Sequence, residues 1–198
     1  MNTPNKLTLL RVILIPAFIA SMLCIPDHWG GPIISVIVFA FASITDALDG
    51  HLARKNNQVT NFGKFLDPLA DKMLVITALI LLQDQGLIHP VITVIIIARE
   101  LMVTSLRLVA AGGGTVIAAG KLGKIKTVTQ MIAIITLLIE PYLVGKWEFL
   151  WNVPVLGGAT AETTALLGTV FLYVATVFTI ISGVEYLVKN WKFVDFNN

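Results

Sequence analysis

Ser43-Ile44-Thr45-Asp46-Ala47-Leu48-Asp49-Gly50-His51-Leu52-Ala53-Arg54, then after eight residues Gly63-Lys64-Phe65-Leu66-Asp67-Pro68-Leu69-Ala70-Asp71, is the stretch that decides how this chain is read. It places four aspartates in otherwise apolar sequence. Asp46 and Asp49 are spaced i,i+3, and Asp67 and Asp71 are spaced i,i+4, so each pair falls on one face of a helix. A carboxylate near lipid costs roughly several kcal/mol unless something compensates it. Four converging carboxylates also repel one another. Bound divalent cations relieve both penalties, which makes this window the candidate active site.

Outward from the window the sequence is built of long apolar runs. The chain has 198 residues, 56% of them hydrophobic, and a mean hydropathy of +0.84. A bilayer-spanning helix needs about 20 residues. Spans are expected near 8–26, 32–54, 66–86, 88–110, 124–144 and 164–188. They use nearly the whole chain, so the expectation is an all-α integral membrane protein with six transmembrane helices, forming a single domain over 1–198. Neither an internal repeat nor a low-complexity tract interrupts it.

Charge placement orients these spans. Lys6, Arg11, Arg54, Lys55, Lys64, Lys72, Lys121, Lys124, Lys126, Lys189 and Lys192 fall on one side, whereas the opposite loops carry only Lys146. The positive-inside rule then predicts both termini, and the aspartate window, on the cytoplasmic side of a multi-pass cell-membrane protein. Cys24 is the only cysteine, which excludes an intramolecular disulfide and a cysteine metal cluster. The first apolar run is read as a retained span rather than a cleaved signal.

Local signals refine the boundaries. Asn5 is a plausible helix cap. Span three is expected to start around Phe65, which puts Pro68 in a first turn where its missing N–H does no harm. Gly63, just before it, gives the chain freedom to turn back. Gly112-Gly113-Gly114 is expected to break span four, and Lys121, Lys124 and Lys126 to lie on the loop leading into span five. A long loop over 145–163 carries Trp147 and Trp151, which suit a membrane interface.

The chemistry of the window follows from its donors. Carboxylate oxygens alone make a site for Mg²⁺ or Mn²⁺ rather than zinc, and two such ions balance four carboxylates. Metal-bridged aspartates of this kind suit a pyrophosphate-like substrate. Gly50 beside Asp49, and Ala53 one turn on, clear a strip along the helix for a ligand. Arg54 can reach a phosphate or lock an aspartate. Aspartates serving only as ion-pair glue between helices would need neither the glycines nor the arginine.

The window fits, without a mismatch, the pattern D-x2-D-G-x2-A-R-x8-G-x3-D-x3-D, and by these residues the chain resembles the CDP-alcohol phosphatidyltransferase family. The resemblance implies a membrane enzyme that displaces CMP from a CDP-linked lipid with an alcohol acceptor. It implies metal ligation by Asp46, Asp49 and Asp67, and a double role for Asp71 as ligand and as base towards the acceptor hydroxyl. It implies contacts to CDP-diacylglycerol from Pro4, Asn5 and Thr8, from Gly50, Ala53 and Arg54, and from Thr60 and Gly63. A homodimer is implied too.

The acceptor is read from the remaining cations. Arg99 and Arg107 lie at i,i+8 on span four, and with Lys121, Lys124 and Lys126 they suit a phosphorylated acceptor. Ala98-Arg99-Glu100 with Ser105-Leu106-Arg107, and Gly123-Lys124-Ile125-Lys126-Thr127, resemble the branch of the family that uses glycerol 3-phosphate. Serine, inositol phosphate and phosphatidylglycerol are the alternative acceptors within the family. A membrane prenyltransferase needs more spans and a different aspartate spacing. A divalent-cation transporter would need polar groups along several spans, and spans five and six are almost wholly apolar. Membrane lipids are expected around the protein, and no nucleic-acid partner is expected.

Overall fold

A computed structural model describes residues 3–25, 30–56, 61–112, 117, 120–151 and 166–191. Within these, 3–8, 46–56, 61–68, 71, 121, 141, 143–151 and 166 are described by backbone alone. The described residues form six α-helices: α1 (Thr3–Cys24), α2 (Gly31–Asn56), α3 (Asn61–Asp84), α4 (Pro90–Gly112), α5 (Lys121–Trp151) and α6 (Leu166–Lys189).

Contacts between helices fix their directions. Near the end of α1, Ser21 shares a hydrogen bond of 2.8 Å with Ser35 in the first turns of α2, and the Phe18 and Phe39 rings meet at 5.7 Å just beyond. These two helices are therefore antiparallel. The α3–α4 turn closes on Gly86, whose φ of +77° is the left-handed conformation that favours glycine. Its N–H donates to the Gln83 carbonyl at 2.9 Å, and the Leu87 N–H reaches back to Leu82 at 3.0 Å, the paired bonds that finish a helix at a left-handed residue. Arg99, near the middle of α4, bonds Ser182, and Arg107, further along it, bonds Tyr186, later in α6, so α4 and α6 run parallel. Glu140, in the second half of α5, meets the start of α6. One end of the bundle thus collects the starts of α1, α3 and α5 and the finishes of α2, α4 and α6.

The core lies across the helices, with Ile15, Phe18, Phe39, Leu79, Leu82, Ile96, Ile134 and Leu137 fully or almost fully buried. The outer faces stay apolar. On α6, Val170, Val177, Ile180, Val184 and Val188 are all exposed. An apolar exterior over an apolar core is the pattern of a helix facing lipid. By length and hydropathy, Leu122–Glu140 and Leu167–Lys189 can each cross a membrane.

Several boundaries differ from the sequence reading. Helix α1 begins at Thr3, so Pro4 and Asn5 stand in its first turn and Asn5 is not a cap. A first-turn proline forfeits no helical hydrogen bond, which lets the helix start early. Helix α3 begins at Asn61, so Gly63 is helical rather than a hinge before the helix. Pro68 accordingly lies in the second turn rather than the first. Helix α5 is longer than expected at both ends: Lys121, Lys124 and Lys126 are helical, and Trp147 and Trp151 belong to the helix rather than to a loop. Gly120 flanks its start, and Gly123 did not break it because glycine disfavours a helix by only about 1 kcal/mol, which packing overrides.

Candidate active site

Glu100 occupies the middle of α4 and is 5% exposed. Three cations from three helices converge on its carboxylate. Lys72 of α3 pairs with Oε2 at 2.7 Å, Arg99 of α4 donates to Oε1 at 3.1 Å, and Lys126 of α5 also donates to Oε1. Lys126 is as buried as any apolar core residue, at 1% exposure. An isolated ammonium there would carry a large desolvation penalty, and the carboxylate offsets it. Among the described residues, Arg99 and Lys126 by themselves already outnumber that carboxylate.

Arg99 is threaded through a gap that two glycines leave. A Cβ on Gly183 of α6 would stand 3.1 Å from Arg99 Cγ, and one on Gly123 of α5 would stand 3.5 Å from Nη2. The guanidinium then donates to Ser182 Oγ at 3.0 Å. Its Nε is buried without a hydrogen-bond partner. Two turns on, Arg107 donates from Nε to the Tyr186 hydroxyl at 3.3 Å and packs its guanidinium carbon 5.5 Å from the Tyr186 ring centre. Both arginines are held by α6, and the i,i+8 spacing keeps them on one side of α4.

Two cavities flank Glu100. The larger, about 430 Å³, is lined by Arg99, Arg107, Lys124 and Gly123 together with Lys72 and Glu100. The smaller, about 170 Å³, lies between α1, α2, α3, α4 and α5, and Arg11, Ser43, Lys126 and Gln130 line it. Lys72, Glu100 and Thr127 line both cavities. Gln130 Nε2, buried in the wall of the smaller one, has no acceptor.

The structure gathers the expected cations unevenly. Arg99, Arg107 and Lys124 line the larger cavity. Lys126 does not; it turns inward to Glu100 and lines the smaller cavity instead. The side chain of Lys121 lies outside the described residues, as do those of Pro4, Asn5, Thr8, Asp46, Asp49, Gly50, Ala53, Arg54, Gly63, Asp67 and Asp71, while Thr60 falls in the 57–60 gap. The backbone puts Asp46 and Asp49 in the second half of α2 and Asp67 and Asp71 in the first half of α3. Those are segments of the same bundle end. Ser43, one turn before Asp46, and Lys72, next to Asp71, both line the smaller cavity, so the aspartate helices and the cationic cavities adjoin.

Sequence reasoning missed Glu100 and Lys72 as members of this cluster. Glu100 looked like a companion of Arg99, and Lys72 looked like one more positive charge on the cytoplasmic side. A carboxylate among apolar residues half-way along a span was the available signal.

A family model for CDP-alcohol phosphatidyltransferase matches residues 1–181. The chain belongs to that family. Its similarity extends over whole proteins: it is 43% identical to the CDP-diacylglycerol–glycerol-3-phosphate 3-phosphatidyltransferase of Bacillus subtilis, over 100% of this chain and 99% of the relative. The proteins of the same name from Pseudomonas fluorescens and Yersinia enterocolitica are 39% and 36% identical, over 96% and 97% of this chain and 91% and 96% of theirs. CDP-alcohol phosphatidyltransferases are membrane-bound, which accords with the apolar exterior of α6.

Proposed function

We propose that this chain transfers the phosphatidyl group of CDP-diacylglycerol to glycerol 3-phosphate, releasing CMP and forming phosphatidylglycerophosphate. The observation that carries the reading is the gathering of Arg99, Arg107 and Lys124 among the described walls of the larger cavity, next to the helices that bear the aspartate pattern. A dianionic phosphate monoester is the ligand such walls attract. The names of the full-length relatives support the same substrates. Serine, as an acceptor without phosphate, would leave Arg99, Arg107 and Lys124 with no anion to hold.

In this reading Asp46, Asp49, Asp67 and Asp71 hold two Mg²⁺ or Mn²⁺ ions. Their carboxylate oxygens are the donors those ions prefer, and they come from two neighbouring segments of one bundle end. The ions supply charge neutralisation at the phosphoryl groups. Asp71 accepts the proton of the acceptor hydroxyl, a weak nucleophile near neutral pH. The hydroxyl oxygen then bonds to the phosphorus that carries diacylglycerol. The bond from that phosphorus to the bridging oxygen breaks, and CMP departs with the electron pair. Pro4, Asn5, Thr8, Gly50, Ala53, Arg54, Thr60 and Gly63 form the face towards CDP-diacylglycerol, and Lys121 extends the cationic approach for the acceptor.

The charge asymmetry of the sequence supports six spans in the cytoplasmic membrane, with both termini and the active site on the cytoplasmic side. Family resemblance supports a homodimer. Purified protein in lipid nanodiscs should release CMP from CDP-diacylglycerol when given Mg²⁺ or Mn²⁺ and glycerol 3-phosphate, and much more slowly with serine or inositol phosphate. Equal rates with serine would overturn the acceptor assignment.

A further inference from the structure

We infer that Glu100 is the positioning residue of the acceptor pocket: it holds Lys72, Arg99 and Lys126 in one arrangement and thereby selects a phosphate ester over free inorganic phosphate. This rests on the reading of the larger cavity as the acceptor site.

The geometry separates Glu100 from a carboxylate that merely glues helices together. Glue is balanced, one anion to one cation. Here one buried carboxylate meets cations from α3, α4 and α5; among the described residues Arg99 and Lys126 by themselves outnumber it, and the cavity that Arg99 lines adds Arg107 and Lys124 to its walls. Buried surplus charge is unfavourable until an anion enters. The carboxylate therefore leaves the pocket attractive to a dianion while keeping the cations from repelling one another apart. Lys126 depends on it most, because its ammonium is sealed from solvent and bonds Glu100. Arg99 is held between Glu100 and Ser182, in the room that Gly123 and Gly183 leave for it.

Removing the negative charge has two opposed effects. The pocket becomes more positive, which strengthens attraction for any anion. The cations also lose their shared anchor, which spoils the fit for an ester whose hydroxyl must reach the reacting phosphorus. Inorganic phosphate feels only the first effect, and glycerol 3-phosphate feels both. Positioning of this sort governs reaction geometry strongly, since small displacements of a bound reactant carry large rate penalties.

The test compares wild type, Glu100→Gln and Glu100→Asp in nanodiscs, measuring KM for each substrate and the inhibition constant of inorganic phosphate. For E100Q, KM for glycerol 3-phosphate should rise about tenfold while that for CDP-diacylglycerol stays within about twofold, and inorganic phosphate should inhibit as well as before or better. E100D keeps the charge but draws it back by one methylene, so its KM for glycerol 3-phosphate should fall between the other two. An unchanged KM for glycerol 3-phosphate in E100Q overturns the inference. So does a parallel rise in KM for both substrates with a lowered melting temperature, which marks a structural role only. If E100Q is not recovered folded, E100D decides: a severalfold rise confined to glycerol 3-phosphate supports the inference, and a wild-type value or a rise shared with CDP-diacylglycerol overturns it. Wild-type turnover indifferent to glycerol 3-phosphate would instead remove the acceptor assignment itself.

Discussion

Glu100 and Glu140 are both carboxylates set within apolar helices, and the company each keeps differs in kind. Glu140 of α5 accepts the backbone N–H groups of Leu167 at 3.0 Å and Gly168 at 2.8 Å. These are amides of the first turn of α6, which have no partner inside their own helix. The carboxylate satisfies them and faces the positive end of the helix dipole. Gly168 brings the two helices close: a Cβ there would stand 2.7 Å from Leu137 Cδ2 and Cγ, and 3.0 Å from its backbone N. Glu140 is thus satisfied by fixed backbone. Glu100 is surrounded by side-chain cations in excess and faces two cavities. One carboxylate closes the bundle at its far end, and the other keeps the opposite half of it open to an anion.

That contrast is easiest to break at the reacting end. Asp71→Asn should lower turnover by about 100-fold or more, as should a chelator that strips divalent metal, and CMP release measures both. Near-normal turnover of the variant would reject Asp71 as the base. Arg99→Leu comes next. The loss of a guanidinium from the larger cavity should raise KM for glycerol 3-phosphate by about tenfold or more, and Arg99→Lys should recover only part of it, because an ammonium cannot bridge Ser182, Glu100 and a phosphate together. If Arg99→Leu raised only KM for CDP-diacylglycerol, the cavity would belong to the donor.

At the opposite end the effects should fall on stability. Gly168→Val forces α5 and α6 apart and should cost about 1–3 kcal/mol, read as a lower unfolding midpoint in detergent with both KM values unchanged. The smallest effect belongs to Glu140→Gln. The amide oxygen still accepts one of the two N–H groups, but the other loses its acceptor and the charge is gone, so the loss should be about 1 kcal/mol, again without a change in kinetics. A substrate-specific KM change in either variant would erase the distinction between the two ends.

Much of the fold was legible because apolar runs of membrane length are a coarse, repeated signal, and all six helices lie where the runs lie. Boundaries were less legible. Gly63 and the lysines before span five looked like turn and loop residues, yet local propensities of about 1 kcal/mol yield to helix packing. The aspartate spacing was legible as two helical pairs because it matches the helix repeat, and the backbone of α2 and α3 is helical at all four positions. The cationic pocket was only half legible. Arg99 and Arg107 declared themselves by a common face of α4, but the turning of Lys126 away from them towards Glu100 depends on three helices meeting.

By itself the sequence determined that the chain is built largely of apolar helices, that its aspartates pair on helix faces, and which family it belongs to. These depend on composition and on spacings within single helices, which the 3.6-residue repeat translates directly into position. Only the tertiary structure decided which cations share an anion, which line a cavity, and that Glu140 seals a helix end whereas Glu100 gathers charge. Those outcomes depend on side chains from different helices and on whether water or protein surrounds them, and no spacing along one chain contains that information.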